Sequence, residues 1–170
     1  MALCQTPRLI NNAEAHDQCI QDVLERVRAE MAMVSPWISL GRLEEAGLLA
    51  ALEKTAARGV DITIYTDHHF NTTSANQPDA QKTSLFERCC EALAERGMTV
   101  KVVNQVHSKL IMADSGFLCV GSYNWASAAR VGKYKNMETS MLYSGDLKAE
   151  ITLQRDALDA RVRKRYPEQA

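Results

Sequence analysis

The sequence has almost no net charge, and it lacks a long apolar run and a secretory start. Its 20 Lys and Arg residues are balanced by 21 Asp and Glu, so the formal net charge is −1 and the pI lies near 6.4. A molecule-wide positive field that draws proteins onto nucleic acid is therefore excluded, and any such binding needs a local patch. No segment is long and apolar enough to span a bilayer, and the first residues turn polar at once. We expect a cytoplasmic protein with no membrane partner.

The five cysteines are odd in number, and none belongs to a C-x-x-C pair. A disulfide framework and a Cys-rich zinc site are therefore not indicated. We expect Cys89, Cys90 and Cys119 to be buried, reduced thiols.

Internal repeats, linkers and low-complexity segments are also absent, so we expect one domain over residues 1–170. Amphipathic spacing predicts helices near 13–29, 43–58, 79–96 and 146–165. Runs rich in β-forming residues predict strands at 31–39, 60–66, 98–103 and 137–143, and the polar segment 67–78 is the longest predicted loop. Strands that alternate with helices indicate an α/β fold with a mixed, largely parallel central sheet that helices flank on both faces.

Polar chemistry is concentrated in residues 106–124, VHSKLIMADSGFLCVGSYN. Because side chains alternate along a strand, His107 and Lys109 are expected to leave the same face. A tight turn after this strand predicts a hairpin that brings Ser122 and Asn124 back beside them. An imidazole, an ammonium group and two uncharged hydrogen-bond donors suit a tetrahedral anion, above all a phosphodiester.

The spacing of these residues resembles the HKD signature of the phospholipase D superfamily. The matching positions are His107, Lys109, Asp114, Gly121, Ser122 and Asn124. Glu138, in Asn136-Met137-Glu138, resembles the glutamate of the family's N-x-E segment, which hydrogen-bonds a catalytic histidine. The resemblance implies a phospholipase D-like fold and a phosphohistidine intermediate, with these residues as catalytic candidates. Asp114 lies in the predicted turn, where it is expected to fix the hairpin by bonding backbone amides.

A second His-x-Lys pair is missing, because His16 is followed by Asp17-Gln18 and His68 by His69-Phe70. The family's chemistry needs two histidines, one that attacks phosphorus and one that protonates the leaving oxygen. We therefore expect a homodimer whose two copies share one active site. No cofactor is expected, and no metal either, because a nucleophilic imidazole needs no metal-bound water for the first step.

The leading hypothesis is a metal-independent phosphodiesterase that cleaves DNA or RNA, similar to the small bacterial phospholipase D-like endonucleases. A second is a hydrolase or transferase that acts on phospholipids. A third is a nucleic-acid-binding accessory module, because Gly-Ser-Tyr-Asn-Trp also resembles the phospholipase D domains attached to helicases.

Three further residues are candidates for substrate binding. Trp125 follows Asn124 and could stack on a base, His68 lies in the polar loop, and Lys133 lies in the basic segment 131–135. Metals can bind to side chains of the types found at Asp67, His68 and His69. We favour the interpretation that these three are polar loop residues beside the pocket rather than a metal site. The basic cluster at 161–165 is expected at the solvated end of a helix, with a phosphate-binding patch as the alternative.

Overall fold

The computed structural model describes residues 7–129 and 136–167. In chain order, the strands are β1 (Arg8–Asn11), β2 (Glu30–Val34), β3 (Asp61–Asp67), β4 (Thr73–Ser74), β5 (Gln77–Pro78), β6 (Thr99–Val103), β7 (Lys109–Ala113), β8 (Phe117–Gly121), β9 (Thr139–Ser144) and β10 (Val162–Tyr166). The helices are α1 (Asn12–Arg26), α2 (Leu40–Glu45), α3 (Leu48–Ala57), α4 (His68–Thr72), α5 (Ala80–Glu95) and α6 (Lys148–Asp159).

Eight strands form one mixed sheet in the order β1-β9-β8-β7-β2-β3-β6-β10, while β4 and β5 form a small hairpin. The mixed α/β fold is confirmed. The expectation of a largely parallel sheet is wrong, because only the β2–β3 and β3–β6 pairings among the described strands are parallel. All other pairings of the main sheet are antiparallel, and the tight turn between β7 and β8 accounts for one of them.

Two hydrophobic cores lie on the two faces of the sheet, and strand alternation separates them. In β2, Met31 and Met33 belong to one core, whereas Ala32 and Val34 belong to the other. Helices α1, α2, α3 and α5 cover the first face, and α6 covers the second through Ile151 and Leu158. Helices on both faces are therefore confirmed. The apolar run in β2 is explained by its burial on both faces.

Several predicted elements differ in the structure. The helix expected at 43–58 is two helices, because Gly47 takes a left-handed φ of +65° between them. The segment expected as a loop at 67–78 contains α4 and the β4–β5 hairpin. In α5, Phe86 is buried, whereas its neighbour Leu85 is 56% exposed.

The C-terminal end of the described chain also differs from the prediction of one long helix. Helix α6 ends at Asp159, and β10 then pairs antiparallel with β6. The basic side chains at 161–165 therefore lie at and on an edge strand rather than on a helix end. Charged side chains on an edge strand hinder pairing with a further strand.

Four of the cysteines, Cys19, Cys89, Cys90 and Cys119, are buried and unbridged, as expected, while Cys4 lies outside the described residues. Burial raises the pKa of the Cys89 thiol to about 12. A thiol with so high a pKa stays protonated and inert at neutral pH. In the described chain, we also find no helix with both the length and the apolar character that crossing a membrane requires.

Candidate functional site

The β7–β8 hairpin brings the two halves of the signature to one end of the sheet. Lys109 pairs with Gly121 across β7 and β8, and Gly121 pairs with Ser140 across β8 and β9. His107 lies two residues before β7, and the Lys109 ammonium lies 3.2 Å from both nitrogens of the His107 ring. The same ammonium donates to the His107 carbonyl oxygen at 2.7 Å. The predicted meeting of His107 and Lys109 is thus present in the structure.

The segment before His107 is held by Asp67, at the end of β3. This buried carboxylate accepts the Val106 backbone N–H at 2.9 Å and the Phe70 N–H at 3.1 Å. The second bond caps the N-terminus of α4. Asp67 therefore fixes the position of His107 from a different strand. In the sequence, Asp67 is recognisable only as a polar residue after an apolar strand. Its role in holding the segment before His107 was therefore missed.

Two aromatic rings border His107, and sequence reasoning missed both. The ring centroids of Trp37 and Phe70 lie 5.5 and 5.6 Å from that of His107, and 4.5 Å from each other. The Lys109 ammonium lies 5.5 Å from the Trp37 ring centroid, within reach of a cation–π contact. Asn71 fixes the Trp37 segment by donating to the Pro36 carbonyl at 2.7 Å and accepting the Ile38 N–H at 3.1 Å.

Ser122 and Glu138 are hydrogen-bonded to each other. The Ser122 hydroxyl donates to the Glu138 carboxylate and accepts the Thr139 N–H at 3.1 Å. Within the single chain, Glu138 thus meets Ser122 rather than a histidine, which the family resemblance had suggested. Burial lowers the pKa of Lys109, and the negative charge of Glu138 opposes that shift. The carboxylate therefore helps to keep this ammonium protonated.

Asn124 carries an unused polar atom beside this pair. Its side-chain oxygen is buried and has no hydrogen-bond partner among the residues that the structure describes. Asn124, Glu138 and Ser127 line a cavity of about 280 Å³. The Asn124 backbone carbonyl accepts the Ser127 N–H at 3.1 Å, which forms a turn. The unpaired atom is an acceptor, so it suits a hydrogen-bond donor in the cavity, such as a protonated leaving group.

Gly121 permits the close approach of β8 and β9 at the site. A Cβ atom at this position would lie 2.0 Å from the Ser140 hydroxyl oxygen and 2.5 Å from the Thr139 carbonyl oxygen. The Ser140 hydroxyl also lies 2.8 Å from Nε2 of His16, which is fully buried and stacks on Tyr123 at 4.3 Å. His16 therefore supports the Gly-Ser-Tyr-Asn segment from α1.

Asp114 lies at the opposite end of β7 from His107. Five residues of extended strand separate Asp114 from Lys109 by about 16 Å. Its carboxylate accepts backbone N–H groups of Arg28, Ala29 and Glu30 at 3.2, 2.9 and 3.1 Å. Burial acts to raise the pKa of Asp114, but these three donors outweigh it and lower the pKa below its usual value. Asp114 ties the hairpin to the start of β2, away from the other signature residues.

The substrate-binding candidates have different positions. Trp125 is only 1% exposed and packs near Tyr123 and His16, so it offers no face to a base, which corrects our expectation. His68 is exposed and lines a cavity of about 190 Å³ with Arg163 and Lys164. Lys133 lies outside the described residues.

The metal-ligand side chains of the 67–69 segment do not converge. Asp67 uses its oxygens on backbone N–H groups, and the two following histidines are exposed on α4. In residues 7–129 and 136–167, no three His, Cys, Asp or Glu side chains are grouped so that they could hold a metal ion.

Comparison with known proteins connects this geometry with a family. The fold is similar to that of Nuc, a phospholipase D family member from Salmonella typhimurium, with a TM-score of 0.67 and 20% identity over 93% of this chain and 97% of that one. NucT from Helicobacter pylori has a TM-score of 0.61 and 13% identity over 92% and 97% of the two chains. The phosphatidylserine synthase of Haemophilus influenzae Rd KW20 has a TM-score of 0.63 and 15% identity, over 93% of this chain and 39% of the synthase.

No functionally curated protein matches the chain in sequence. A sequence model of the family described as "Cardiolipin synthase, PLD-like domain" matches residues 26–155, which include the whole signature, Glu138 and both aromatic neighbours of His107. The chain therefore belongs to the PLD-like domain family of the phospholipase D superfamily.

Proposed function

We propose that this protein is a metal-independent phosphodiesterase that hydrolyses nucleic-acid phosphodiester bonds in an active site shared by two copies of the chain. The observation that carries the proposal is the convergence of His107 and Lys109 with Ser122, Asn124 and Glu138 at one end of the β7–β8 hairpin. It supplies a nucleophile, a fixed cation and neutral donors around a space for one tetrahedral phosphate.

The reaction proceeds in two displacements. A neutral His107 forms a bond from its ring nitrogen to phosphorus, while the bond from phosphorus to the leaving oxygen breaks. The protonated His107 of the partner subunit gives its proton to that oxygen, so an alcohol leaves. The same partner imidazole then takes a proton from water, whose oxygen displaces the histidine from phosphorus and releases a phosphomonoester.

The remaining residues of the site stabilise charge and position the reacting groups. Lys109 faces the negative charge that builds up on the phosphoryl oxygens, and Asn124 offers an amide to the same group. Glu138 supports the charge of Lys109 and is itself held by Ser122. In the dimer, Glu138 also orients a histidine of the shared site.

Two features support a shared site. The chain contains one His-x-Lys pair, whereas the two displacements use two histidines. Next to Glu138, Met137 is 84% exposed, and contact with a second copy at the rim of the site would cover this apolar side chain. A two-fold axis through the phosphate would then place equivalent residues on both sides of it.

Phospholipid is the competing substrate class, because the family description names cardiolipin synthase and one structural relative is a phosphatidylserine synthase. Nucleic acid is favoured because the chain matches Nuc and NucT over nearly their whole lengths, and because the aromatic rings beside His107 line a groove together with exposed cations. Competition between an oligonucleotide and phospholipid vesicles for the same site distinguishes the two classes.

Hydrolysis of a chromogenic phosphodiester in millimolar EDTA tests the proposal. The wild-type protein should turn over, whereas His107→Asn should lose several orders of magnitude because the nucleophile is absent while the side-chain shape is kept. Lys148→Gln, at an exposed position on α6, is the control and should retain its rate. If EDTA abolishes turnover and added Mg²⁺ or Zn²⁺ restores it, the metal-independent mechanism is wrong.

A further inference from the structure

A groove leads away from the candidate phosphate site between α2 and α5. It has a volume of about 460 Å³, and its lining includes Trp37, Phe70, Lys82, Leu85, Arg88 and Ser127. Ser127 also lines the cavity of Asn124 and Glu138, so the two spaces adjoin. A polymer whose phosphate lies at His107 would therefore find a continuous path along this groove.

The inner end of the groove is aromatic. Trp37 and Phe70 are half-buried, and both line the groove while they border His107. Their rings are inclined by 32° and their centroids lie 4.5 Å apart, so the two rings pack against each other and a base would extend this aromatic pair. Leu85, which is 56% exposed on α5, adds an apolar side chain to the same groove. Flat, apolar surface of this kind suits the face of a nucleobase.

The outer part of the groove is cationic. Lys82 and Arg88 are exposed on α5, and the Lys82 ammonium is oriented by a 2.8 Å bond to the Thr73 carbonyl. Glu44, on α2, also lines the groove and carries a negative charge. The two positive charges of Lys82 and Arg88 exceed this single negative charge. The protein as a whole has a net charge of −1. A local pair of cations beside aromatic rings therefore distinguishes this groove from the general surface.

We propose that Trp37 and Phe70 stack an unpaired base next to the scissile phosphate, and that Lys82 and Arg88 contact phosphates of the same strand. This subsite rests on the proposed nuclease function and specifies its substrate as a single strand. Bases in a duplex are stacked on one another and present no free face to the aromatic surface. The enzyme should therefore act on single-stranded nucleic acid in preference to the same sequence in a duplex.

Tryptophan fluorescence tests the stacking without any turnover. The chain has two tryptophans, and Trp125 is 1% exposed, so a change caused by a stacked base reports on Trp37. In a His107→Asn protein, a single-stranded oligothymidylate should quench the emission, and inorganic phosphate should not. Adding Trp37→Leu should remove the quenching. Binding of the oligonucleotide, seen by anisotropy, with unchanged Trp37 emission would overturn the subsite.

Kinetics provide the second test, through the ratio of kcat/KM on a single-stranded oligonucleotide to kcat/KM on the chromogenic diester. Phe70→Leu should lower kcat/KM on a single-stranded oligonucleotide about 10-fold more than on the chromogenic diester, because the diester has no base to stack. Stacking of a base on an aromatic side chain contributes about 5- to 150-fold in affinity. Arg88→Gln should act in the same direction, and Lys148→Gln, an exposed cation on α6, should leave the ratio unchanged. Equal losses on both substrates would contradict the subsite.

The two proposals fail in different ways. If the wild-type protein hydrolyses the chromogenic diester but neither binds nor cleaves the oligonucleotide, the base subsite is wrong and the phosphodiesterase remains. If Trp37 is quenched by the oligonucleotide but no diester is hydrolysed, the subsite remains and the proposed catalysis is wrong.

Discussion

At the scale of single residues, Glu138 is the acidic group that influences the charge of Lys109. Burial lowers the pKa of Lys109, and Glu138 raises it. Turnover that needs the protonated ammonium should be lost at high pH, as Lys109 gives up its proton. The position of that alkaline limb therefore depends on the carboxylate.

Replacing Glu138 by Gln should move the alkaline limb of the pH–rate profile to lower pH. The amide can still accept the Ser122 hydrogen bond, but it no longer opposes the effect of burial, so the pKa of Lys109 falls further. The measurement is kcat/KM against pH for the chromogenic diester. Glu150→Gln, exposed on α6, is the control and should leave the limb in place. An unshifted limb in Glu138→Gln would show that this charge does not act on Lys109.

Gly121 is the second residue on which the geometry depends. An Ala side chain there would meet the Ser140 hydroxyl oxygen at 2.0 Å and the Thr139 backbone oxygen at 2.5 Å, so the β8–β9 pairing must move. We expect Gly121→Ala to lower the free energy of unfolding by about 1–3 kcal/mol, the usual cost of overpacking. Urea denaturation measures it. Gly41→Ala, in α2 with nothing within 4 Å of the added carbon, should be neutral or slightly stabilising. Equal stability of both variants would contradict the close contact.

The signature residues could be predicted together because they lie within one hairpin. Pairing of Lys109 with Gly121 follows from a tight turn between two apolar strands. Asp67, Trp37 and Phe70 could not be predicted in the same way. They reach His107 across at least 37 residues of chain, through a sheet order that local periodicity does not determine.

At the scale of secondary structure, the β7–β8 hairpin is fixed at its turn by Asp114. This residue has a left-handed φ of +48°, and its carboxylate accepts three backbone N–H groups from the segment that leads into β2. The interaction joins two elements that are 84 to 86 residues apart in sequence. It contributes to stability at a point remote from the reacting groups.

Asp114→Ala should lower the free energy of unfolding by about 1 kcal/mol, because three exposed or half-buried backbone N–H groups exchange their carboxylate acceptor for water. The pKa of Asp114 is lowered on folding, so its contribution is complete above the unfolded value of about 3.9 and is lost as the pH falls through the folded value. The variant should therefore lose less stability than wild type on acidification. Asp114→Asn keeps an oxygen acceptor and should cost less. Lost turnover with unchanged melting would instead place Asp114 in the chemistry.

Sequence patterns predict some of the secondary-structure elements correctly and others wrongly. The apolar strands β2, β3 and β6 were predicted because burial on two faces requires continuous apolar runs. Strand β10, with the sequence VRKRY, was predicted as helix because its basic residues follow an amphipathic segment. Only its pairing with β6 makes it a strand, and that contact spans about sixty residues of chain.

At the scale of the whole molecule, the described chain supplies one half of the proposed chemistry. It offers one His107 and one Lys109, near the half-buried Glu138 and the exposed Met137. A second copy would add the acid that protonates the leaving group. The central claim is therefore that one active site contains His107 from two chains.

Mixing of wild-type and His107→Ala chains tests this claim most directly. The two proteins are mixed in equal amounts, allowed to exchange subunits and assayed with the chromogenic diester, while sedimentation follows the dimer. If both histidines are needed, random pairing leaves about a quarter of the dimers active, so the rate should be about a quarter of that of an all-wild-type sample at the same total chain concentration. A rate of about one half, or full activity at concentrations where sedimentation detects only monomer, would contradict the two-chain site.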